Sequence, residues 1–358
     1  MCNIAGYVGE KRAAPILLDM IRRQQYYDGG AGTGIATIHE GKIYTAKVVG
    51  DVDELIRSTD ALNFPGTIGI AHSRPGGDEV EHMHPFLDFS GRLALVANGI
   101  FGVTDTPEYI ARSKEIMDSY LSRGLYPRSA IPGDGTDRFS LPDGSRYHGT
   151  ESYALRTGEL FGEGHSLCES LALALGERPN GFVAVTIHAD EPDKIAIGKM
   201  SCPMSVATVG NDTYLATTQF AFPEDVRFDT VLCPPEGVIC AATAGELTLT
   251  RHRIRNMRME RVTADIYKKA YDRIEAYLKG QKESPKNLWD LGKMYDTEWR
   301  DLWQEPYCDC VFQKEGTLFK PYPELSYNVL YAMHKEGRLR RTVGLRGGRY
   351  PMYHFYLD

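Results

Sequence analysis

The chain has 358 residues, 42% of them hydrophobic and 25% charged, a mixture typical of soluble globular proteins and long enough for two domains at roughly 150 residues each. No apolar run approaches the ~20 residues needed to span a bilayer, and the first apolar helix, around Pro15 to Ile21, meets Arg22 and Arg23 too soon for a secretory signal, so a cytoplasmic protein with no membrane partner is expected. The net charge of −7 is uneven: residues 251–358 hold 21 Lys+Arg against 15 Asp+Glu, or +6, which leaves −13 for the rest and argues against nucleic-acid binding by the acidic part.

Along the chain, Asn3 to Val8 is short, β-rich and bounded by Gly9, which predicts a strand. Ala13 to Tyr27 carries Ile16, Leu17, Met20 and Ile21 at helical spacing and stops at Gly29 and Gly30. Residues 33–50 form a hairpin pattern turning at Glu40-Gly41. Residues 67–74 and 92–101 are buried-strand patterns, followed by a helix from about Thr106 to Arg123. Residues 124–149 are rich in Gly, Pro, Ser and Asp without a period, the pattern of a long surface loop. A helix over Ser166 to Glu177 precedes six strand patterns between residues 181 and 252. Strands interleaved with a few helices predict a layered α/β or α+β arrangement.

Beyond Arg251 the pattern changes. Residues 265–280 form an amphipathic helix, residues 286–303 a Trp-rich helical stretch and Glu324 to Gly337 another helix. Residues 338–357 form a hairpin with Arg346 and Arg349 at its tip. Helices followed by a basic-tipped hairpin predict a winged-helix-like module over residues 256–358, after a first domain over residues 1–255.

The chemistry concentrates near the start. Cys2 follows Met1, and a residue that small permits excision of the initiator, which would leave a thiol and a free α-amine on one residue. An α-amine titrates near ~7.7–8.0, so part of it is neutral at pH 7 and can take the thiol proton without a histidine. The seven cysteines are otherwise few, odd in number and scattered, which does not fit a disulfide framework. A cysteine at position 2 carries little alone; its neighbourhood adds to it. The opening MCNIAGYVG, then GIAHSR (Gly69 to Arg74), MHPF (Met83 to Phe86) and LALVANGIF (Leu93 to Phe101) resemble, in order and at similar spacing, the motifs of class II glutamine amidotransferases. The glutaminase domains of glucosamine-6-phosphate synthase and amidophosphoribosyltransferase are the relatives these motifs suggest, over about two-thirds of the chain.

That resemblance implies an α+β fold, a four-layer αββα N-terminal-nucleophile sandwich. It implies hydrolysis of a γ-glutamyl amide at Cys2, with the Asn98 side-chain nitrogen and the Gly99 backbone N–H as an oxyanion hole, and with no cofactor. Arg74 would hold the substrate α-carboxylate, which its guanidinium fork suits. Glu151, in Thr150-Glu151-Ser152, would stand for the family's aspartate facing the substrate amine. Read alone, Asn98-Gly99 is a turn dipeptide, Arg74 a surface arginine and Glu151 a helix-start acid near the positive end of a dipole.

Four departures surround the pocket. Asn3 replaces the usual glycine, Pro75 an aromatic residue, and the following Pro-Gly-Gly-Asp-Glu lacks the family's threonine. Asp28 stands where the family has an arginine. These changes favour a γ-glutamyl amide over efficient use of free glutamine. Rival motifs are weaker: His82 and His84 beside Asp78, Glu79 and Glu81 have metal-ligand character, but His84 is the family's His-Pro, so no metal is expected. Cys308-x-Cys310 has no second pair, and Gly29 to Gly34 follows neither phosphate-binding glycine pattern.

After residue 250 neither a pair of phosphosugar-isomerase domains nor a phosphoribosyl-pyrophosphate loop appears. The sequence therefore leaves two classes open. One is a glutaminase releasing ammonia to a separate acceptor protein or within a homo-oligomer. The other is a weakened, ligand-sensing domain whose last module contacts a partner or DNA. Because Glu324 to Glu336 is mostly apolar or aromatic, protein docking is favoured over DNA, and Trp289, Trp299 and Trp303 are expected in the core.

Overall fold

The structure is a computed structural model describing residues 2–99, 107–136, 138–178, 181–200, 202–254, 257–259, 262–303, 311–313, 316–319, 322–346 and 349–358. Cys308 and Cys310 lie outside the described residues. The first part runs β1 (Asn3–Val8), α1 (Ala13–Asp28), β2 (Gly32–His39), β3 (Lys42–Val49), α2 (Val52–Ser58), β4 (Ile68–Arg74), β5 (Phe86–Leu87), β6 (Leu93–Gly99), α3 (Pro107–Ser122), α4 (Gly149–Gly162), α5 (Leu167–Glu177), β7 (Phe182–His188), β8 (Glu191–Lys199), β9 (Ser205–Val209), β10 (Asp212–Ala216), β11 (Thr230–Leu232), β12 (Val238–Thr243) and β13 (Glu246–Arg253). It is a mixed α+β fold with two antiparallel sheets, ordered β11-β9-β10-β1-β4-β2-β3 and β13-β12-β8-β7-β6-β5.

β1 is buried at all six positions because both faces of its sheet are covered. Ile4, Ile70 and Leu215 of the first sheet interlock with Val96, Val185 and Ile197 of the second. On the outer face of the first sheet, Leu17, Leu18 and Ile21 of α1 pack on Ala5, Ala71 and Tyr214. On the outer face of the second, Tyr153 of α4 and Leu171 and Leu175 of α5 pack on Leu95 and Ala184. The β2–β3 hairpin turns at Glu40 and Gly41, with φ of 47° and 70°, the two positive angles that a two-residue turn between right-twisted strands requires. α4 was not among the predicted elements, although Glu151 read alone is a helix-start acid and does lie in its first turn; the helix begins where the predicted loop ends.

The remaining elements are β14 (Met257–Met259), α6 (Ala264–Leu278), α7 (Leu288–Asp296), β15 (Val311–Gln313), β16 (Gly316–Phe319), α8 (Tyr322–Lys335), β17 (Leu339–Arg346) and β18 (Tyr350–Leu357). The Thr263 hydroxyl caps α6. Asn287 and Asp290 close a reciprocal capping box on α7, satisfying amides that the helix cannot pair itself. Ile266, Ala270, Ile274 and Leu278 line one side of α6, four residues apart, and meet Leu325, Val329 and Met333 of α8 and Phe355 of β18. Trp299 and Trp303 are buried there, as expected, whereas Trp289 is 48% exposed.

This cluster is not confined to the last hundred residues. It takes in Tyr27 from α1 and Phe220. Tyr27 stacks on Phe220 at 4.7 Å, meets Tyr353 edge-on at 4.9 Å, and accepts a 2.7 Å hydrogen bond from Arg341. β18 and the segment around Phe220 therefore pack on the end of α1. Since Tyr27 is fully buried between the two parts, Tyr27→Ala should cost about 3–5 kcal/mol, as other large aromatic truncations do. Urea unfolding followed by fluorescence checks this; a loss below about 1 kcal/mol would show that the contact is not a structural joint.

Candidate active site

The ends of β1, β4 and β6 meet at one place. Asn3 pairs with Ser73 and Ile4 with His72, so continuing that register by one residue sets Cys2 opposite Arg74. His72 then reaches across to the second sheet, its Nε2–H donating to the Ala97 carbonyl at 3.1 Å. The Ala97 amide donates in turn to His84 Nδ1 at 3.2 Å, and the two imidazoles stack 3.9 Å apart at 10°. The residue after Ala97 is Asn98, and its Nδ2 donates to the Cys2 carbonyl at 2.5 Å. Two residues 96 apart in sequence are thus brought into contact. Asn98 Oδ1 and Asn3 Oδ1 are buried without a hydrogen-bond partner.

Gly99 has a packing reason to be glycine. A β-carbon there would lie 2.2 Å from the Phe182 β-carbon and 2.8 Å from the Gly181 carbonyl oxygen. Asn3, the departure from the family's glycine, is accommodated against α1, its Nδ2 donating to the Gln25 carbonyl at 3.4 Å.

Arg74, at the end of β4, donates from Nη1 to the His82 carbonyl at 2.8 Å and lies 3.5 Å from His148 Nε2. Glu151 is placed differently from the expectation of a group facing a substrate amine. It is 1% exposed. One carboxylate oxygen accepts the Arg128 amide at 2.7 Å and the other the Ser129 amide at 3.0 Å, together with the Ser129 hydroxyl. Burial pushes its carboxyl above the usual range, against the pull of those donors and of Lys47. The carboxylate ties down the start of the 128–148 loop, and Ser129 Oγ also accepts the His148 amide at 2.8 Å.

A cluster of four histidines, His72, His82, His84 and His148, surrounds Arg74, with the His148 ring stacked on Phe86 at 4.7 Å. Sequence reasoning singled out His82 and His84 as a rival metal pair. Among the described residues no group of three or more His, Cys, Asp or Glu is placed to hold a metal ion. Burial, with Arg74 nearby, holds His72 down to about 3 and His84 well below its ordinary value. Both are therefore neutral, and for His84 the Ala97 amide bonded to its Nδ1 requires it.

Asp28, at the end of α1 and 2% exposed, accepts the Trp289 indole N–H at 3.3 Å. Lys199, at the end of β8 and 1% exposed, bonds the Pro234 carbonyl and Glu236 at 3.1 Å each and pairs with Glu324 of α8. Burial opposes its charge, but Glu324 and Glu236 outweigh that and raise its pKa. Sequence reasoning missed Lys199; a charged residue closing an apolar strand pattern was the available signal.

With this geometry in place, the known proteins can be compared. No family model matches the chain. A glutamine–fructose-6-phosphate aminotransferase of Pyrococcus horikoshii is 28% identical over 225 residues, 62% of this chain and 33% of that one. The namesake from Caldanaerobacter subterraneus is 41% identical over 220 residues, 61% and 31% of the two chains. This chain thus spans about a third of the length of the curated relatives it matches. Among solved structures, the glutamine phosphoribosylpyrophosphate amidotransferase of B. subtilis superposes with a TM-score of 0.53 at 18% identity, over 71% of this chain and 50% of that one. An allosteric regulatory enzyme of purine biosynthesis superposes at 0.54 and 18%, over 74% and 52%. The chain carries a class II glutamine amidotransferase domain. The structural matches, at their low identity, support its fold. No helix among the described residues is long and apolar enough to cross a membrane.

The neutral histidines predict an acid limit to stability. Their pKa values are depressed in the folded state, so an unfolded chain takes up protons that the folded one refuses. The stabilisation is full above about pH 6.5 and is lost as pH falls from there, toward about 3 for His72, at roughly 1.4 kcal/mol per pH unit for each histidine. Urea midpoints between pH 7.5 and 5 should decline below 6.5, and His72→Gln should flatten the slope. A midpoint independent of pH over this range refutes the assignment.

Proposed function

We propose that the chain hydrolyses the γ-amide of glutamine or a related γ-glutamyl compound through Cys2, once Met1 is removed, and releases ammonia. The observation that carries this reading is Asn98 Nδ2, buried and directed at Cys2. In the proposed reaction the α-amine of Cys2 takes the thiol proton and the sulfur attacks the amide carbon. Asn98 Nδ2 and the Gly99 N–H stabilise the oxyanion. Collapse expels ammonia, which takes the proton back from the amine, and leaves a thioester. A water deprotonated by the same amine attacks the thioester, and glutamate leaves as the thiol is restored.

Arg74, opposite Cys2 in register, is the proposed α-carboxylate ligand. Its Nη1 is already held by the His82 carbonyl, which orients the guanidinium. We assign Glu151 to holding the 128–148 loop rather than to a substrate amine, because Arg128 and Ser129 occupy both its oxygens. On this reading the two sheets with their flanking helices form the αββα sandwich over residues 1–255. Residues 256–358 form a winged-helix-like module that docks on it through α8. The ammonia acceptor would be a separate chain or a partner copy. The second reading, a weakened ligand sensor, draws support from the engaged Glu151 and from Asp28, which stands in the family's arginine position and holds Trp289.

A diazoketone glutamine analogue should add once, at Cys2, and Cys2→Ala should abolish labelling and glutamate release. Asn98→Ala should lower kcat by roughly 100- to 1,000-fold with little change in KM. Arg74→Ala should raise KM by roughly 10- to 100-fold, the loss of one charge-assisted contact. Labelling elsewhere, or full turnover by Cys2→Ala, overturns the proposal.

A further inference from the structure

The first turn of α8 is fixed beside the Cys2 site. Glu324 pairs with the buried Lys199. Lys199 lies opposite Val183, and Val183 opposite Asn98, so α8 is anchored two strands from the proposed oxyanion donor. Three residues further along α8, on the same side of the helix, stands Tyr327.

Tyr327 is 2% exposed, and its hydroxyl is buried with no hydrogen-bond partner. Its ring lies 6.0 Å from that of Tyr27, at the end of α1; Gln25 of that helix end accepts from Asn3, the neighbour of Cys2. Cys2 and Cys202 both act electrostatically on its phenol, and the Cys202 thiol donates at 3.3 Å to the Gly181 carbonyl, the same carbonyl against which Gly99 packs. The hydroxyl thus lies within the ring of residues that surrounds Cys2. Asn3 Oδ1 and Asn98 Oδ1, in the same ring, are also buried and unpartnered. Folded interiors rarely leave such groups unsatisfied; three gathered around one cysteine mark the place of a polar ligand that would complete them.

We propose that Tyr327 is a substrate-contacting residue of the Cys2 site, its hydroxyl donating a hydrogen bond to the carboxamide held there, so that the site is complete only with the last module docked. This rests on the amide-hydrolase reading above. Burial, reinforced by Tyr27, Cys2 and Cys202, drives the phenol pKa far upward, so the hydroxyl keeps its proton and remains a donor at any pH at which the enzyme would work. The lining of the pocket is then divided between the two parts of the chain: Asn98 and Gly99 come from β6, Tyr327 from α8.

The test uses the full chain with Met1 removed, as wild type, Tyr327→Phe and Tyr331→Phe. Tyr331 is one turn further along α8, against Phe220, and serves as the control. Two quantities are measured: glutamate release from glutamine and from γ-glutamylmethylamide, and the rate of iodoacetamide alkylation of Cys2 between pH 5 and 9, read by peptide mass. Tyr327→Phe, which keeps the packing and removes one hydrogen bond, should lower kcat/KM by about 3- to 10-fold. It should also shift the Cys2 alkylation profile, while Tyr331→Phe matches wild type in both. If the wild type releases no glutamate, the amide-hydrolase reading fails, and the alkylation profile alone decides whether the hydroxyl belongs to the Cys2 site. Tyr327→Phe indistinguishable from wild type in both measurements overturns the proposal. So does equal loss in both variants, which would mark a docking effect, or faster turnover in Tyr327→Phe, which would make the tyrosine a plug.

Discussion

The proposed Cys2 site depends on a polar tie between the two sheets. Apolar side chains hold stacked sheets about 10 Å apart, but such packing is non-directional and fixes their slide only loosely. Here the peptide at Ala97 is gripped from both ends, its carbonyl by His72 of β4 and its amide by His84. That places β6 along β4, and Asn98, the next residue, follows. A shift of one residue in β6 would turn Asn98 to the opposite face of its sheet and separate it from Cys2. The tie requires a neutral His84 whose Nδ1 accepts, and burial beside a cation keeps that imidazole uncharged.

The second dependence is between the two parts of the chain. Tyr27, Phe220 and Arg341 form one joint, and Lys199 with Glu324 a second. The first is a burial of aromatic surface in which Arg341 bonds Tyr27 and lies over the Phe220 and Tyr353 rings. The second is an ion pair removed from water, where breaking one partner leaves a buried charge. Buried pairs add little to stability but are demanding about position. The apolar joint can hold α8 on the domain, and the ion pair can fix where along β8 its first turn lies.

Much of the first 250 residues was legible because its signals are local. The strand over Asn3–Val8, the helix from Ala13 and the hairpin turn at Glu40-Gly41 each follow from a few adjacent residues, and all three stand in the structure. α4 was not, since Gly149, Thr150, Ser152 and Gly158 are weak helix formers, and the helix is held by burial of Tyr153, Ala154 and Leu155. The surroundings of Glu151 were illegible for a different reason: a carboxylate's role is set by what occupies its lone pairs, and Arg128 and Ser129 lie more than twenty residues away. Trp289 was assigned to the core as a tryptophan, yet it is 48% exposed, with its N–H donating to Asp28. Tyr327 carried no signal at all, because an aromatic residue on an apolar helix face is ordinary until its hydroxyl is found without a partner.

Asp28 joins these observations. A buried carboxylate at the carboxyl end of α1 is unfavourable twice over, through desolvation and through the negative end of the helix dipole. The Trp289 N–H offsets part of that cost, and one residue earlier Arg341 holds Tyr27. Both donors come from the last module. The last module without the acid would lose the indole contact. The departure from the family's arginine and the docking of the last hundred residues therefore meet at one contact, while the segment following Asp28 is held by β4, the Gly30 amide donating to Ser73 Oγ at 2.8 Å and the Ala31 amide to the Arg74 carbonyl at 2.9 Å.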